Sequence, residues 1–146
     1  MTILADSGVL LRLLESTDPW HGHSNRAVAA LKRGGDILSV ATQNLAEFWN
    51  VCTRPTTARG GLGLDTTEVT KRLATLEHIF AILSEQPTTY SIWRHFVTTL
   101  GIKGKQVHDA RLVALMLSHG IDNILTFNTA DFTRYPGLTV LDPRAY

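Results

Sequence analysis

The chain has 146 residues, 44% of them hydrophobic, and its 14 Lys and Arg against 13 Asp and Glu leave a net charge of +1. That length and apolar content suit one compact domain over residues 1–146, and a near-neutral charge excludes a broad polycationic surface, so any nucleic-acid contact has to come from a local patch. The single Cys52 excludes an internal disulfide and a cysteine zinc site, which suits a reducing, cytoplasmic setting. The first stretch is apolar but broken by Asp6 and Arg12, and no apolar run approaches the roughly 18 residues of a membrane span, so neither a signal peptide nor an anchor is expected.

Thr2 to Ala5 is a short apolar run ending in Asp6, after which Val9, Leu10, Leu13 and Leu14 recur at helical spacing. This pattern predicts a buried strand feeding a helix, with Asp6 at the strand's C-terminal end. Pro19 opens a second helix with Ala27, Val28, Ala30 and Leu31 as its stripe, and Gly34-Gly35 stops it before a strand over Ile37 to Val40. Thr42 is the expected N-cap of a helix carrying Leu45, Phe48, Trp49 and Cys52, with Glu47 about one turn in and Arg54-Pro55 as its end. The Thr-, Gly- and Arg-rich stretch from Thr56 to Leu64 predicts a surface loop.

Asp65 or Thr66 caps a helix expected to run to Leu83, and a further helix beyond Pro87 holds Trp93, Phe96 and Val97. Between Gly101-Gly104 and the next break, Val107 to Leu117 is apolar all round except at His108, Asp109 and Arg111, the mark of a central, buried helix. Strands over Ile124 to Thr126 and Leu138 to Leu141 flank a helical turn at Ala130 to Arg134. Strands alternating with helices predict an α/β domain: three α/β/α layers around a mostly parallel central sheet of four or five strands.

In such a sheet the crevice lies beyond the C-terminal strand ends. Asp6, Glu47, Asp109, Asn128 and Asp131 all map to that rim. Gathering carboxylates costs several kcal/mol of repulsion and desolvation unless protons or a cation compensate, and an all-oxygen donor set prefers Mg²⁺ or Mn²⁺ over zinc. Taken singly, Asp6 also reads as a helix cap, Glu47 as an exposed helical acid and Asp131 as the cap of the turn at Phe132. Asp109, with Val107, Ala110, Leu112 and Val113 around it, needs a partner such as Arg111 or Arg134 if its role is only structural.

The string Ile3-Leu4-Ala5-Asp6-Ser7-Gly8-Val9-Leu10-Leu11 and the segments Gln43 to Phe48, His108 to Ala114 and Leu125 to Phe132 resemble, in order, the motifs of PIN-domain proteins, above all the VapC-type ribonuclease toxins. The resemblance spans nearly the whole chain. It implies an α/β/α fold and RNA cleavage with Mg²⁺ or Mn²⁺ held by Asp6, Glu47 and Asp109, with Ser7 and Thr126 supporting the site. It also implies a homodimer and a small antitoxin protein that blocks the crevice, and exposed Trp20, Trp49 and Phe96 would suit such contacts. Two departures stand out: Gly8 replaces a usual Asn, and Asn128 occupies an acidic position that Asp131 could serve instead. Arg54, Arg59, Lys103, Lys105 and Arg111 flank the rim as candidate RNA contacts, with Arg54, Lys105 and Arg111 the favoured three.

The remaining signals are weaker. The histidines have no metal spacing on one helix, and Gly60, Gly61 and Gly63 match neither a dinucleotide nor a P-loop fingerprint. The competing functions are a degenerate PIN module that binds RNA or protein without cutting, motivated by Gly8 and Asn128, and a metal-dependent phosphatase acting on small phosphate esters.

Overall fold

In the computed structural model, which describes residues 1–146, the first strand has no solvent-facing side. β1 (Thr2–Ala5) sends Ile3 and Ala5 into one apolar cluster and Leu4 into another, all three fully buried. A strand buried on both faces belongs in the middle of a parallel sheet covered by helices, which is why its sequence is a continuous apolar run without alternation. The chain then runs through α1 (Ser7–Leu14), α2 (His21–Arg33), β2 (Ile37–Ala41), α3 (Thr42–Thr53), α4 (Thr66–Ile79), β3 (Ala81–Leu83), α5 (Thr89–Thr99), α6 (Gln106–Ser118), β4 (Asn123–Leu125), α7 (Thr129–Phe132) and β5 (Thr139–Leu141), ending in a 3₁₀ turn at Pro143–Ala145.

The sheet has five strands in the order β3-β2-β1-β4-β5, and every pairing is parallel. Leu4 is in register with Ser39 on one side and Ile124 on the other. Helices α1 to α4 cover one face, where Leu10, Leu13, Val28, Phe48, Cys52 and Leu76 pack on Ile3 and Val40. On the other face Phe96, Leu112, Val113, Leu115, Met116 and Phe132 pack on Leu4 and Ile124. The result is the expected α/β/α sandwich. Connections run outward from β1 to β2 and β3, then return to β4 on the opposite side of β1. That reversal opens the crevice at the ends of β1 and β4. No helix is long and apolar enough to cross a membrane.

Two boundaries differ from the sequence expectation. The helix expected through Leu83 stops at Ile79, and Ala81–Leu83 becomes the edge strand β3. A short apolar run such as Phe80 to Leu83 fits either state; pairing of Ser39 with Ala81 and Val40 with Ile82 decides for the strand. Thr42 is not a cap either, because β2 runs straight into α3 and Ala41 becomes the N-cap residue. Its N–H is satisfied by the buried Asn44, whose Oδ1 accepts it at 2.9 Å.

Since Leu4 joins the central strand to the α5–α6 layer, Leu4→Ala should lower unfolding stability by about 2–5 kcal/mol in urea titrations. A loss below about 1 kcal/mol would mean that this layer is loosely packed.

Candidate active site

Asp6 stands between the last residue of β1 and the first of α1, where its carboxylate caps the helix. Oδ1 accepts the Ser7 N–H at 2.8 Å, and Oδ2 accepts the Thr126 hydroxyl at 2.9 Å. Thr126 follows β4 directly, and its Oγ1 also accepts the Asn128 N–H at 3.0 Å. Both carboxylate oxygens are therefore pinned in a nearly closed position, with Asp6 only 8% exposed. Burial pushes the Asp6 carboxyl above its ordinary range and the charge of Glu47 adds to the push, while the donors on Thr126 and Ser7 pull the other way.

Glu47 comes in from α3. The Ser7 hydroxyl donates to its Oε2 at 2.8 Å while lying 3.4 Å from Asp6 Oδ1, so one serine stands between the two acids. Gln43, one turn earlier, donates to Glu47 Oε1 at 3.2 Å and to the His108 carbonyl at 2.9 Å, and it accepts from Arg111 Nη1 at 2.9 Å. This amide ties α3 to the start of α6, where Asp109 sits.

Asp109 differs from the other two. It is half-buried in the first turn of α6, and its carboxylate has no hydrogen bond and no ion pair. The arginines that could have neutralised it are engaged elsewhere: Arg111 with Gln43 and Glu85, Arg134 with Gln106. Its pKa is pushed up to about 6, first by burial and then by the charges of Asp6, Asp131 and Glu47, with His108 opposing. Asp109 thus senses three other carboxylates and no nearby arginine. The cationic partner that a purely structural role for Asp109 would require is absent.

Asp131 is not a helix cap. It lies inside α7, donating its N–H to the Asn128 carbonyl, and its exposed carboxylate belongs to the charge cluster around Asp109. Asn128 itself is the N-cap residue, exposed, with a side chain that makes no capping bond. Among the candidate cations, Arg111 is tied to the site through Gln43, and Lys105 is exposed at the N-cap of α6. Arg54 is set apart at the far end of α3, where its guanidinium donates to the Arg59 carbonyl at 2.8 Å. Phe96, expected as an exposed contact, is buried edge-on against Tyr135, and Trp49 is half-buried against the core.

Two neighbours escaped the sequence. Arg12 Nη1 donates to the Gly8 carbonyl at 3.2 Å, and its guanidinium lies 4.8 Å from the ring centres of both Trp20 and Phe127. A Cβ on Gly8 would come within 3.0 Å of that Nη1, so the glycine leaves room for the arginine. Tyr135 has a buried hydroxyl without a partner, and burial together with the charge of Asp109 pushes its pKa up to about 12. Neither had a signal: an arginine one turn beyond Gly8 looks like ordinary surface, and Tyr135 is distant in sequence from every acid but Asp131.

All donors at the rim are oxygens, and the mutual repulsion that raises Asp109 is what a cation would relieve. No three acid, histidine or cysteine side chains are placed to clasp one ion directly. That arrangement fits Mg²⁺ or Mn²⁺ better than zinc, because Mg²⁺ retains several waters and takes only one or two carboxylates directly.

A five-stranded parallel α/β sandwich with acids gathered at the strand reversal is the architecture of a PIN-like α/β domain. The family is specific: the chain belongs to the PIN-domain family, whose model matches residues 3–138. It is similar to ribonuclease VapC48 of Mycobacterium tuberculosis, with 24% identity over 139 residues and 94% of each chain covered. Among solved structures it resembles VapBC2 from Rickettsia felis bound to a promoter DNA fragment, with a TM-score of 0.72, 13% identity, and 97% of this chain and 98% of that one covered. It also resembles VapBC-1 from nontypeable Haemophilus influenzae, with a TM-score of 0.72, 15% identity and 98% of each chain covered. These structural likenesses establish the fold.

Because the folded state holds the Asp109 proton up to about pH 6 and the unfolded chain releases it near its ordinary value, this group costs stability as pH rises through that interval. In metal-free protein at pH 8, Asp109→Asn should therefore raise Tm by about 4 °C, about 1 kcal/mol after allowance for solvent screening. The gain should vanish near pH 4. Thermal melts at both pH values check this, and equal melting points at pH 8 would mean that Asp109 is well solvated.

Proposed function

We propose that this protein is an Mg²⁺- or Mn²⁺-dependent endoribonuclease that hydrolyses RNA phosphodiester bonds, and that it is the toxin of a toxin–antitoxin pair. The observation that carries the proposal is the half-buried Asp109 carboxylate, which has no hydrogen bond or ion pair and feels the charges of Asp6, Glu47 and Asp131 at the strand ends. A carboxylate left without a cationic side chain in a half-buried site is unfavourable unless an ion or a substrate completes it. The ribonuclease name of the curated relative supports the reaction class, and the toxin–antitoxin complexes among the structural neighbours support the biological role.

Asp6, Glu47, Asp109 and Asp131 would hold the cation, one or two of them directly and the others through its bound waters, with the Asn128 side-chain oxygen as a further donor. The bound cation supplies Lewis-acid chemistry, lowering the pKa of water and offsetting charge on the phosphoryl and leaving oxygens. The chain's own groups divide the remaining work. Asp6 is held by Thr126 and Ser7, and Glu47 by Ser7 and Gln43, so their orientation is set before substrate arrives. Asp109 has both oxygens free and is the acid able to accept a proton from the attacking water. Arg111 and Lys105 supply positive charge beside the acids for the RNA backbone. The proposed partners are single-stranded RNA, a small antitoxin protein and a second copy of the chain. Gly8 and Asn128 favour a second reading, a PIN module that binds RNA without cutting.

Purified protein with Mn²⁺ should cleave single-stranded RNA and stop on addition of EDTA. Asp6→Asn, Glu47→Gln and Asp109→Asn should each reduce cleavage at least about a hundredfold with the fold retained by circular dichroism. Metal-independent cleavage, or full activity in all three variants, would overturn the assignment; RNA binding with no cleavage would select the second reading.

Asp131→Asn should weaken Mn²⁺ binding several-fold in titration calorimetry, whereas Asp65→Asn, at the cap of α4, should leave it unchanged. Equal binding by both variants would remove Asp131 from the ion site.

A further inference from the structure

Beside the acidic crevice lies a cavity of about 270 Å³ lined by Glu85, Thr89, Tyr90, Trp93 and Arg111. None of its aromatic residues takes part in the site described above. Its connection to that site is direct: Arg111 donates through Nη1 to Gln43, which holds Glu47, and through Nη2 to Glu85 at 3.0 Å. One guanidinium therefore lines the cavity and is linked through Gln43 to Glu47.

The lining has the composition of a nucleobase site. Tyr90 is 66% exposed, so its ring is open to a ligand. Its ring centre is 6.1 Å from that of Trp93, with the planes inclined by 34°. Trp93 is fixed by a bond from its Nε1 to the Val107 carbonyl at 3.0 Å, so the indole is held without being sealed off. The volume is just under the roughly 300 Å³ at which small-molecule pockets begin, room for one planar base but not for a whole nucleotide. Single-stranded RNA is read in this way, by unstacked bases laid on aromatic rings and hydrogen-bonded along their edges.

The polar pair chooses among the bases. Glu85 offers a carboxylate that only accepts, and Arg111 a guanidinium that only donates, side by side in an exposed ion pair. Guanine alone presents two adjacent donors, N1–H and the 2-amino group, next to the O6 acceptor. A carboxylate takes the two donors and a guanidinium takes O6.

We infer that this cavity is a guanine subsite, holding one unstacked guanine of single-stranded RNA beside the bond to be cut; the inference deepens the ribonuclease reading and rests on it. Binding can be measured without cleavage, by fluorescence anisotropy in EDTA with labelled pyrimidine oligonucleotides that carry one central guanine, inosine or adenine. The guanine oligonucleotide should bind about tenfold more tightly than the inosine one, which lacks the 2-amino group, and more tightly than the adenine one. Tyr90→Ala, an exposed change that leaves the core intact, should weaken guanine binding by about ten- to a hundredfold. Glu85→Gln should abolish the difference between guanine and inosine. Equal affinity for the three oligonucleotides, or unchanged binding in Tyr90→Ala, would overturn the subsite. Failure of the nuclease reading is seen separately, as absence of Mn²⁺-dependent cleavage of the same guanine oligonucleotide.

Discussion

Like-charge repulsion at one end of a parallel sheet is the constraint around which this molecule is arranged. Parallel strands all deliver their C-terminal ends to the same rim, and in this chain those ends and the helices after them carry Asp6, Glu47, Asp109 and Asp131. The fold would be more stable with apolar or neutral residues there. What keeps the acids in place is a set of short neutral donors: Ser7, Thr126 and Gln43 hold Asp6 and Glu47 without neutralising them. A hydroxyl or an amide fixes a carboxylate and leaves its charge intact, whereas an arginine would cancel it.

The same economy explains where the arginines are. Arg12 lies beside the stacked rings of Trp20 and Phe127 and 3.6 Å from Asp18, and Arg111 is shared between Gln43 and Glu85. Neither pairs with Asp6, Glu47 or Asp109. Their acidic partners are Asp18 and Glu85, both solvent-accessible, so these ion pairs are weak and screened.

Much of this was legible in the chain. Continuous apolar runs at Ile3 to Ala5 and Ile124-Leu125 identified buried parallel strands, and the acids just beyond them followed from the rule that sites form at strand ends. Other features depended on tertiary pairing. Whether Ala81 to Leu83 is helix or strand is decided by β2, with no local signal, and the role of Asp131 is set by α6, which lies far away in sequence. Arg54 stands at the C-cap of α3, and its bond to the Arg59 carbonyl is another contact that no periodicity in the chain announces. The arrangement of Arg12 beside Trp20 and Phe127 joins three segments that no periodicity relates.

The bond between Thr126 and Asp6 closes a separation of 120 residues, and the strand that bears Asp6 lies between one neighbour made early and another made late in synthesis. During translation β1 can pair with β2 as soon as the first helices emerge, but its other edge stays open until β4 leaves the ribosome. Until then Asp6 lacks one of its two fixed oxygens, and Asp109 has no sheet beneath it on the β4 side. A nascent or truncated chain therefore carries the acids without the crevice. The order of synthesis itself delays assembly of the site until β4 and Thr126 have been made.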